Sequence, residues 1–241
     1  MPAGRNRLVE DDDGHRRMSI GQGEHAIIYR MLDGPFEGLV CRSPVTLPTG
    51  INTEKEVLLR FRTHQIAHVL FPDYVLDVQA VNLENREIFS IEVERSKQNL
   101  RDCTRVGILH RRERVLEPLD QDVLDIVQEM ESAGVTVEAN KPNVSVVRNG
   151  ENTKICFFEI LGIDTDKVRS WVLRHPEKGV NLGRIDELLK LYEFEIGVRD
   201  IDLMLLLRDR AERLQVLEEE GVSELFDIYN KELEVRIFAR E

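Results

Sequence analysis

Cysteine is scarce in this sequence. Cys41, Cys103 and Cys156 are the three cysteines among 241 residues, and no two of them form a C-x-x-C pair. A disulfide framework or a thiolate zinc site would need closely spaced cysteines in larger number, so neither kind of site is expected. The pattern favours a chain that works under reducing conditions.

Long apolar runs are also absent. No run reaches the roughly 18 residues that a membrane-spanning helix needs. Residues 1–17 are polar and lack the apolar segment of a secretory signal peptide. We therefore expect a cytoplasmic protein that makes no use of a membrane.

Positive charge is in deficit. The chain has 33 Lys and Arg residues against 45 Asp and Glu residues, which gives a formal net charge of −12. Binding to a phosphate backbone normally requires a cationic face, so nucleic acid is not expected as a partner. The 41% hydrophobic and 32% charged residues are typical of a folded globular chain.

The sequence pattern divides the chain into three parts. Residues 1–17 are expected to form a flexible leader. Residues 18–96 contain short apolar runs typical of strands and one helix, whose start at Thr53-Glu54-Lys55-Glu56 has the spacing of a capping box. Residues 97–241 are mostly helical and contain one hairpin around Asn149-Gly150. The predicted fold class is therefore α+β.

A glycine-rich segment is the sharpest local motif. It reads Ile20-Gly21-Gln22-Gly23-Glu24-His25-Ala26-Ile27-Ile28-Tyr29-Arg30. Glycines let a backbone turn approach a ligand closely, and the exposed N–H groups of such a turn can hold phosphate oxygens. An apolar strand follows here, whereas a dinucleotide-binding fingerprint would open a helix. An ordinary hairpin explains this segment, taken alone, about equally well.

Together with this motif, two later segments resemble the protein-kinase-like superfamily. In the glycine-rich segment, Ala26 takes the place of a third glycine. Near the middle of the chain, Glu138 and, five residues later, Asn143 have the spacing of the base and the metal-binding asparagine of a kinase catalytic loop. Glu159 follows an apolar strand, as the metal-binding aspartate of that family does.

This resemblance implies a two-lobed fold that binds ATP with Mg²⁺ or Mn²⁺ in a cleft. The N-terminal lobe would be an antiparallel sheet plus a helix, and the C-terminal lobe would be mainly helical. Arg42 would replace the lysine that holds nucleotide phosphates, with Glu56 or Glu54 as its helix partner. Nucleotide contacts would come from Gly21, Gly23, Ala26, Ile28, Arg42 and Glu56, catalysis from Glu138 and Arg42, and metal ligands from Asn143 and Glu159.

Three of these positions depart from the family pattern. Arg42, Glu138 and Glu159 stand where the family has lysine, aspartate and aspartate, and all three keep the sign of the charge. The residues are compatible with two functions. The chain is an ATP-dependent phosphotransferase to a hydroxyl acceptor, or it is a catalytically inactive kinase-like scaffold or assembly component. No long activation segment follows Glu159, as in compact, atypical kinases.

Two further patterns have simpler explanations. His64 and His68 are four residues apart on the predicted helix, a spacing that can bind a metal, but ordinary helix histidines are favoured because no third ligand stands out. The apolar residues of 201–207 and 225–238 are expected to form core. An excess of them could also seat a protein partner.

Overall fold

A computed structural model gives the fold and describes residues 7–11, 14–22, 26–44, 53–93, 121–137, 144–149 and 152–238. The described part is a mixed α+β structure, as the sequence predicted for the class. The chain divides into two compact units. The first comprises Met1–Phe61, Val78–Glu92 and Lys190–Glu241, and the second comprises Arg62–Asp77 and Val93–Leu189.

The strands and helices are numbered in chain order. The strands are β1 (Arg7–Glu10), β2 (Arg16–Gln22), β3 (Ala26–Met31), β4 (Val40–Pro44), β5 (Val78–Asn82), β6 (Glu87–Ser90), β7 (Val135–Val137), β8 (Val144–Asn149), β9 (Asn152–Phe157), β10 (Ile160–Ile163) and β11 (Ile237–Phe238). The α-helices are α1 (Glu54–Leu70), α2 (Gln121–Ser132), α3 (Thr165–Arg174), α4 (Leu182–Gly197), α5 (Asp200–Arg208), α6 (Arg210–Glu219) and α7 (Phe226–Val235).

The first unit is built on a seven-stranded sheet in the order β1-β2-β3-β4-β6-β5-β11. All its neighbouring pairs are antiparallel except β11, which pairs with β5 in parallel. Parallel strands need a long connection between them. Helices α5 to α7 lie in the connection that leads to β11.

The start of α1 is set by the predicted capping box. The Oγ1 atom of Thr53 accepts a hydrogen bond from the Glu56 N–H at 3.2 Å, and Glu56 Oε2 accepts one from the Thr53 N–H at 2.8 Å. Each side chain therefore satisfies an N–H group that the first helical turn leaves without a helical partner.

One face of the sheet, which we call the helix face, carries the main core of the first unit. Ile88 and Val81 are paired on adjacent strands and lie in the same buried cluster as residues of α1. The C-terminal helices complete this cluster. Its buried members from α1 and from the last quarter of the chain include Val57, Leu58, Phe61, Leu203, Leu206, Leu207, Leu217, Leu225, Tyr229 and Ile237.

The division into units differs from the predicted boundary between 18–96 and 97–241. Residues 190–241 belong with the N-terminal sheet, and residues 62–77 belong to the second unit. The reason is burial, since Leu203, Leu206 and Tyr229 are 0% exposed within the sheet's own core cluster. Local sequence patterns predict helices and apolar faces, but they do not specify which sheet an apolar face covers.

The opposite face, the aromatic face, has a smaller core. Tyr29, Cys41 and Phe89 are cross-strand partners in one row. The ring of Phe36 stacks on that of Phe89 with centroids 3.7 Å apart. At one side Arg17 donates to Glu87 at 2.8 Å, and its guanidinium lies 4.3 Å from the centre of the Tyr29 ring.

Part of the predicted leader belongs to the sheet. Residues Arg7–Glu10 form β1 and pair with β2, and residues 16 and 17 already lie in β2. Between the two strands, Asp11 Oδ1 accepts a hydrogen bond from the His15 N–H at 2.8 Å, and Gly14 adopts φ +81°. Four residues with one acid at the end were too short a run to predict a strand from the sequence.

The second unit combines helices with two small strand pairs. Strand β7 pairs with β10, and β8 forms a hairpin with β9. Helix α3 begins where Asp164 accepts from the Lys167 N–H at 3.1 Å, and its Trp171 packs on Phe71. Gly134 has φ +83°, and a Cβ there would lie 2.6 Å from the Asp164 carbonyl oxygen, so this close approach requires glycine. Among the described helices, none is long and apolar enough to cross a membrane.

Candidate functional site

The predicted site residues are spread over both units and partly outside the described ranges. Gly23, Glu138 and Asn143 lie outside the residues that the structure describes. Of the others, Glu159 belongs to the second unit. The first unit contains Gly21, Ala26, Ile28, Arg42 and Glu56.

The glycine-rich segment connects two antiparallel strands. Gly21 is near the end of β2, and Ala26 begins β3, which pairs with β2. Residues 23–25 lie outside the described residues. The register shifts between Ser19 and Gly21, which leaves Ile20 as an extra residue on β2. A glycine beside a bulge often marks a place where a ligand or another backbone approaches closely.

Three predicted nucleotide-contacting residues form a row across neighbouring strands. Gly21 of β2 is paired with Ile28 of β3, and Ile28 is paired with Arg42 of β4. Directly paired residues point to the same face of a sheet, so Ile28 and Arg42 extend side by side. The structure therefore brings together a glycine, an apolar side chain and a cation that are up to 21 residues apart in the sequence, from position 21 to position 42.

This row lies on the helix face. Arg42 is paired in turn with Ile88, which belongs to the core cluster with Val57 and Leu58 of α1. Ile28 and Arg42 are both half-buried, whereas Ala26, two residues before Ile28 on the same face, is 7% exposed. Arg42 thus extends from the sheet on the side that carries α1, at the margin of an apolar surface.

Glu56 forms the predicted capping-box contact. Its carboxylate accepts the Thr53 N–H in the capping box. This contact supports the structural explanation of Glu56, and its predicted role beside Arg42 stays a prediction.

In the second unit, the described neighbours of Glu138, Asn143 and Glu159 lie close together. Val137, the residue before Glu138, is paired with Ile160, the residue after Glu159. Val144, the residue after Asn143, is paired with Phe157, two residues before Glu159. The ends of both strand pairs therefore meet at the segment Phe157–Ile160, which carries Glu159.

This segment is held from several sides. The Phe157 N–H donates to the Tyr74 carbonyl at 2.8 Å, and Phe157 forms a parallel bridge with Val75. The Phe158 carbonyl oxygen lies 3.1 Å from Nε2 of His64. Glu159 itself is only 6% exposed. Glu159 is therefore a buried carboxylate in a segment whose backbone is held by hydrogen bonds.

The two histidines of α1 are explained by backbone contacts. His64 lies at the Phe158 carbonyl, and Nδ1 of His68 lies 2.9 Å from the Val75 carbonyl oxygen. Within the described ranges, no group of three or more His, Cys, Asp or Glu residues is placed to hold a metal. Both histidines therefore have backbone carbonyl partners in the second unit.

One feature of the first unit was not singled out from the sequence. A pocket of about 260 Å³ is lined by Arg210, Arg213, Asn230, Leu233 and Glu234. The spacing of Arg210 and Arg213, three residues apart on one helix face, is the signal that could have indicated it.

Comparison with known proteins adds no family to this geometry. No protein-family model matches the chain, and no curated protein matches it.

Proposed function

We propose that the chain binds ATP with Mg²⁺ or Mn²⁺ in the manner of the protein-kinase-like superfamily and transfers a phosphoryl group to a hydroxyl acceptor. The observation that carries this proposal is the cross-strand row of Gly21, Ile28 and Arg42. The three residue types match three parts of one ligand, and they lie side by side on adjacent strands.

Each member of the row has a distinct task in this proposal. The backbone around Gly21 approaches the phosphates, because glycine has no side chain to exclude them. Ile28 offers an apolar surface to the base. Arg42 holds the phosphates through its planar guanidinium, which forms two parallel hydrogen bonds with a phosphate where a lysine would act as a point charge.

The proposed metal ligands are two oxygen donors. Asn143 and Glu159 offer an amide oxygen and a carboxylate, the hard oxygen ligands that Mg²⁺ and Mn²⁺ prefer. The pairing of Val144 with Phe157 supports the choice of these two residues, because it ties their neighbours together. The metal would neutralise charge on the phosphates when bound.

In this proposal, Glu138 acts on the hydroxyl group of the acceptor. It follows Val137, whose partner Ile160 adjoins Glu159. A carboxylate can orient the hydroxyl and accept its proton as the hydroxyl oxygen bonds to the γ-phosphorus, while the bond from that phosphorus to the β,γ-bridging oxygen breaks and ADP leaves. Most of the rate enhancement would come from positioning and from charge stabilisation, which is usual for this chemistry.

A second candidate function is nucleotide binding without turnover. The burial of one carboxylate and the capping contact of another favour it. Glu159 is almost completely buried, and Glu56 is engaged in the cap of α1. A protein with these carboxylates committed to the fold would act as a kinase-like scaffold or assembly component.

Thermal unfolding with ATP, with and without Mg²⁺ or Mn²⁺, tests the proposal. Ligand at a hundred times its dissociation constant should stabilise the protein by about 2.7 kcal/mol. Arg42→Ala should weaken ATP binding, and Arg7→Ala, an exposed arginine of the same sheet, is its matched control. An absence of any shift at millimolar ATP would contradict nucleotide binding.

Two carboxylate variants separate the enzyme from the scaffold. Glu159→Ala should remove the metal dependence of ATP binding, while Glu131→Ala, an exposed carboxylate of α2, should not. Glu138→Gln should preserve ATP binding and abolish phosphotransfer. Wild-type protein that binds ATP and shows no ATP turnover would establish the scaffold function instead.

A further inference from the structure

The pocket between α6 and α7 is the strongest additional feature of the first unit. It has a volume of about 260 Å³ and is lined by two arginines, an asparagine, a leucine and a glutamate: Arg210, Arg213, Asn230, Leu233 and Glu234. None of these residues belongs to the row of Gly21, Ile28 and Arg42, so the pocket has no task in the proposed nucleotide site.

Arg213 is the unusual member of this pocket. It is only 6% exposed, yet its hydrogen bonds go to neutral acceptors, from Nε to the Leu206 carbonyl oxygen at 3.0 Å and from Nη1 to Oδ1 of Asn230. Within the part of the chain that the structure describes, it forms no ion pair with a carboxylate. Buried arginines are normally paired with an anion, so the position of Arg213 points to an anion from outside the chain.

The positive charge of Arg210 also favours an anion in this pocket. Arg210 is exposed and precedes Arg213 by three residues, which places both on the same face of α6. Burial lowers the pKa of Arg213 and the positive charge of Arg210 lowers it further, whereas the negative charge of Asp209 has a smaller, opposite effect on this pKa. Both arginines also lie in the first turn of α6, where the helix dipole is positive. The nearby carboxylate of Asp209 is turned towards the N–H groups of Ala211 and Glu212, which it caps.

The size and the remaining lining residues limit the ligand. Pockets for larger ligands start at about 300 Å³, so this one suits a small molecule and is too small for a nucleoside triphosphate. Two guanidinium groups match the double charge and three acceptor oxygens of a phosphate group better than the single charge of a carboxylate. Glu234 would repel a second anionic group, and it can accept a hydrogen bond from a ligand hydroxyl.

We propose that this pocket binds a small phosphate monoester that carries a hydroxyl group, with Arg210 and Arg213 holding the phosphate and Glu234 accepting from the hydroxyl. Asn230 keeps the guanidinium of Arg213 in place through its side-chain oxygen. The site is separate from the proposed ATP site, and its ligand differs in both size and charge.

Titration calorimetry on the full chain tests the site, with inorganic phosphate and glycerol phosphate as probes and the ionic strength fixed with sodium chloride. Both probes should bind saturably, and glycerol phosphate should bind more tightly because of its hydroxyl groups. Arg210→Gln should weaken binding about tenfold or more, the usual effect of losing a charge-assisted hydrogen bond. Arg208→Gln, an exposed arginine at the end of α5, is the matched control and should bind like wild type.

Two more variants sharpen the test. Arg213→Met keeps a long side chain in the buried position and should abolish phosphate binding. Because a buried replacement can disturb folding, the exposed Arg210 decides the test if Arg213→Met is not folded. Glu234→Gln should remove the preference for glycerol phosphate over inorganic phosphate.

Several results would overturn the proposal. Non-saturable binding, or equal binding by the Arg210→Gln and Arg208→Gln variants, would show that the pocket is not a phosphate site. Tighter binding of a phosphoserine peptide than of glycerol phosphate would replace the small molecule by a phosphorylated protein segment. An equal loss of Mg²⁺-dependent ATP binding in Arg210→Gln would show that the pocket is not separate from the nucleotide site.

Discussion

The two faces of the seven-stranded sheet each carry an arginine, but in different surroundings. On the aromatic face, Arg17 is largely buried and its guanidinium is directed at Glu87 and the Tyr29 ring. On the helix face, Arg42 stands half-buried in a row with Ile28 and Gly21. The first arrangement fixes an arginine as part of the core, whereas the second places one at the margin of an apolar surface.

This difference predicts that substitutions on the two faces will have different effects, on the free energy of unfolding for one face and on ligand affinity for the other. Changes on the aromatic face should lower the free energy of unfolding, because this face contains the largely buried Arg17–Glu87 ion pair and the stacked rings of Phe36 and Phe89. Under the proposed function, changes at Arg42 should lower ligand affinity. Variants of the two faces therefore test whether the helix face is the functional one.

The largest effect is expected for Phe89→Ala on the aromatic face. Phe89 is 1% exposed and stacks on Phe36, so its truncation leaves a cavity in the smaller core. We expect a loss of about 3–5 kcal/mol in the free energy of unfolding, measured by urea denaturation. Val235→Ala, at a position that is 67% exposed, is the control and should change little. A loss below about 1 kcal/mol for Phe89→Ala would mean that this face is not a packed core.

The next effect concerns the buried ion pair of the same face. Glu87→Ala leaves the Arg17 guanidinium without its carboxylate partner and should cost about 3 kcal/mol. Replacing both residues by methionine should recover most of that loss, since no uncompensated charge then remains. A double variant as unstable as Glu87→Ala would show that the pair is not what fixes Arg17.

A smaller, pH-dependent effect is expected from Cys41 in the middle of the aromatic face. Burial raises the pKa of its thiol well above the ordinary value, and the nearby Glu87 raises it further. A thiol whose pKa is raised by folding stabilises the fold fully at pH values below its unfolded pKa of about 8.5. That stabilisation is lost progressively as the pH rises above this value. Cys41→Ala should unfold with a weaker dependence on pH between about 8.5 and 10, and equal slopes for both proteins would contradict the assignment.

The elements that depend on local signals were predictable from the sequence. The capping box of Thr53 and Glu56, the antiparallel pairing of β2 with β3, and the pairing of β8 with β9 are each specified by residues close together in the chain. Such signals act over a few residues, so one sequence is enough to find them.

The elements that depend on distant partners were not predictable. Strand β11 has two residues and exists because it pairs with Val81 and Asn82 of β5. Arg213 gave no local sign of burial, because that burial is produced by the packing of α6 in its unit. The row of the candidate site lies between these cases. Its residue types were identified from the sequence, but only the strand register shows that Ile28 and Arg42 are neighbours.

The smallest effect distinguishes the two explanations of Glu56, as a helix cap or as a partner of Arg42. Thr53→Ala removes one half of the capping box and should cost about 1 kcal/mol in the free energy of unfolding without changing ATP affinity. Glu56→Ala removes the other half and should cost a similar amount. If Glu56 also supports Arg42, Glu56→Ala will weaken ATP binding while Thr53→Ala does not, because only Glu56 carries a charge that an arginine can use. If both variants lose stability and neither changes ATP affinity, Glu56 is a cap alone and Arg42 holds the phosphates without it.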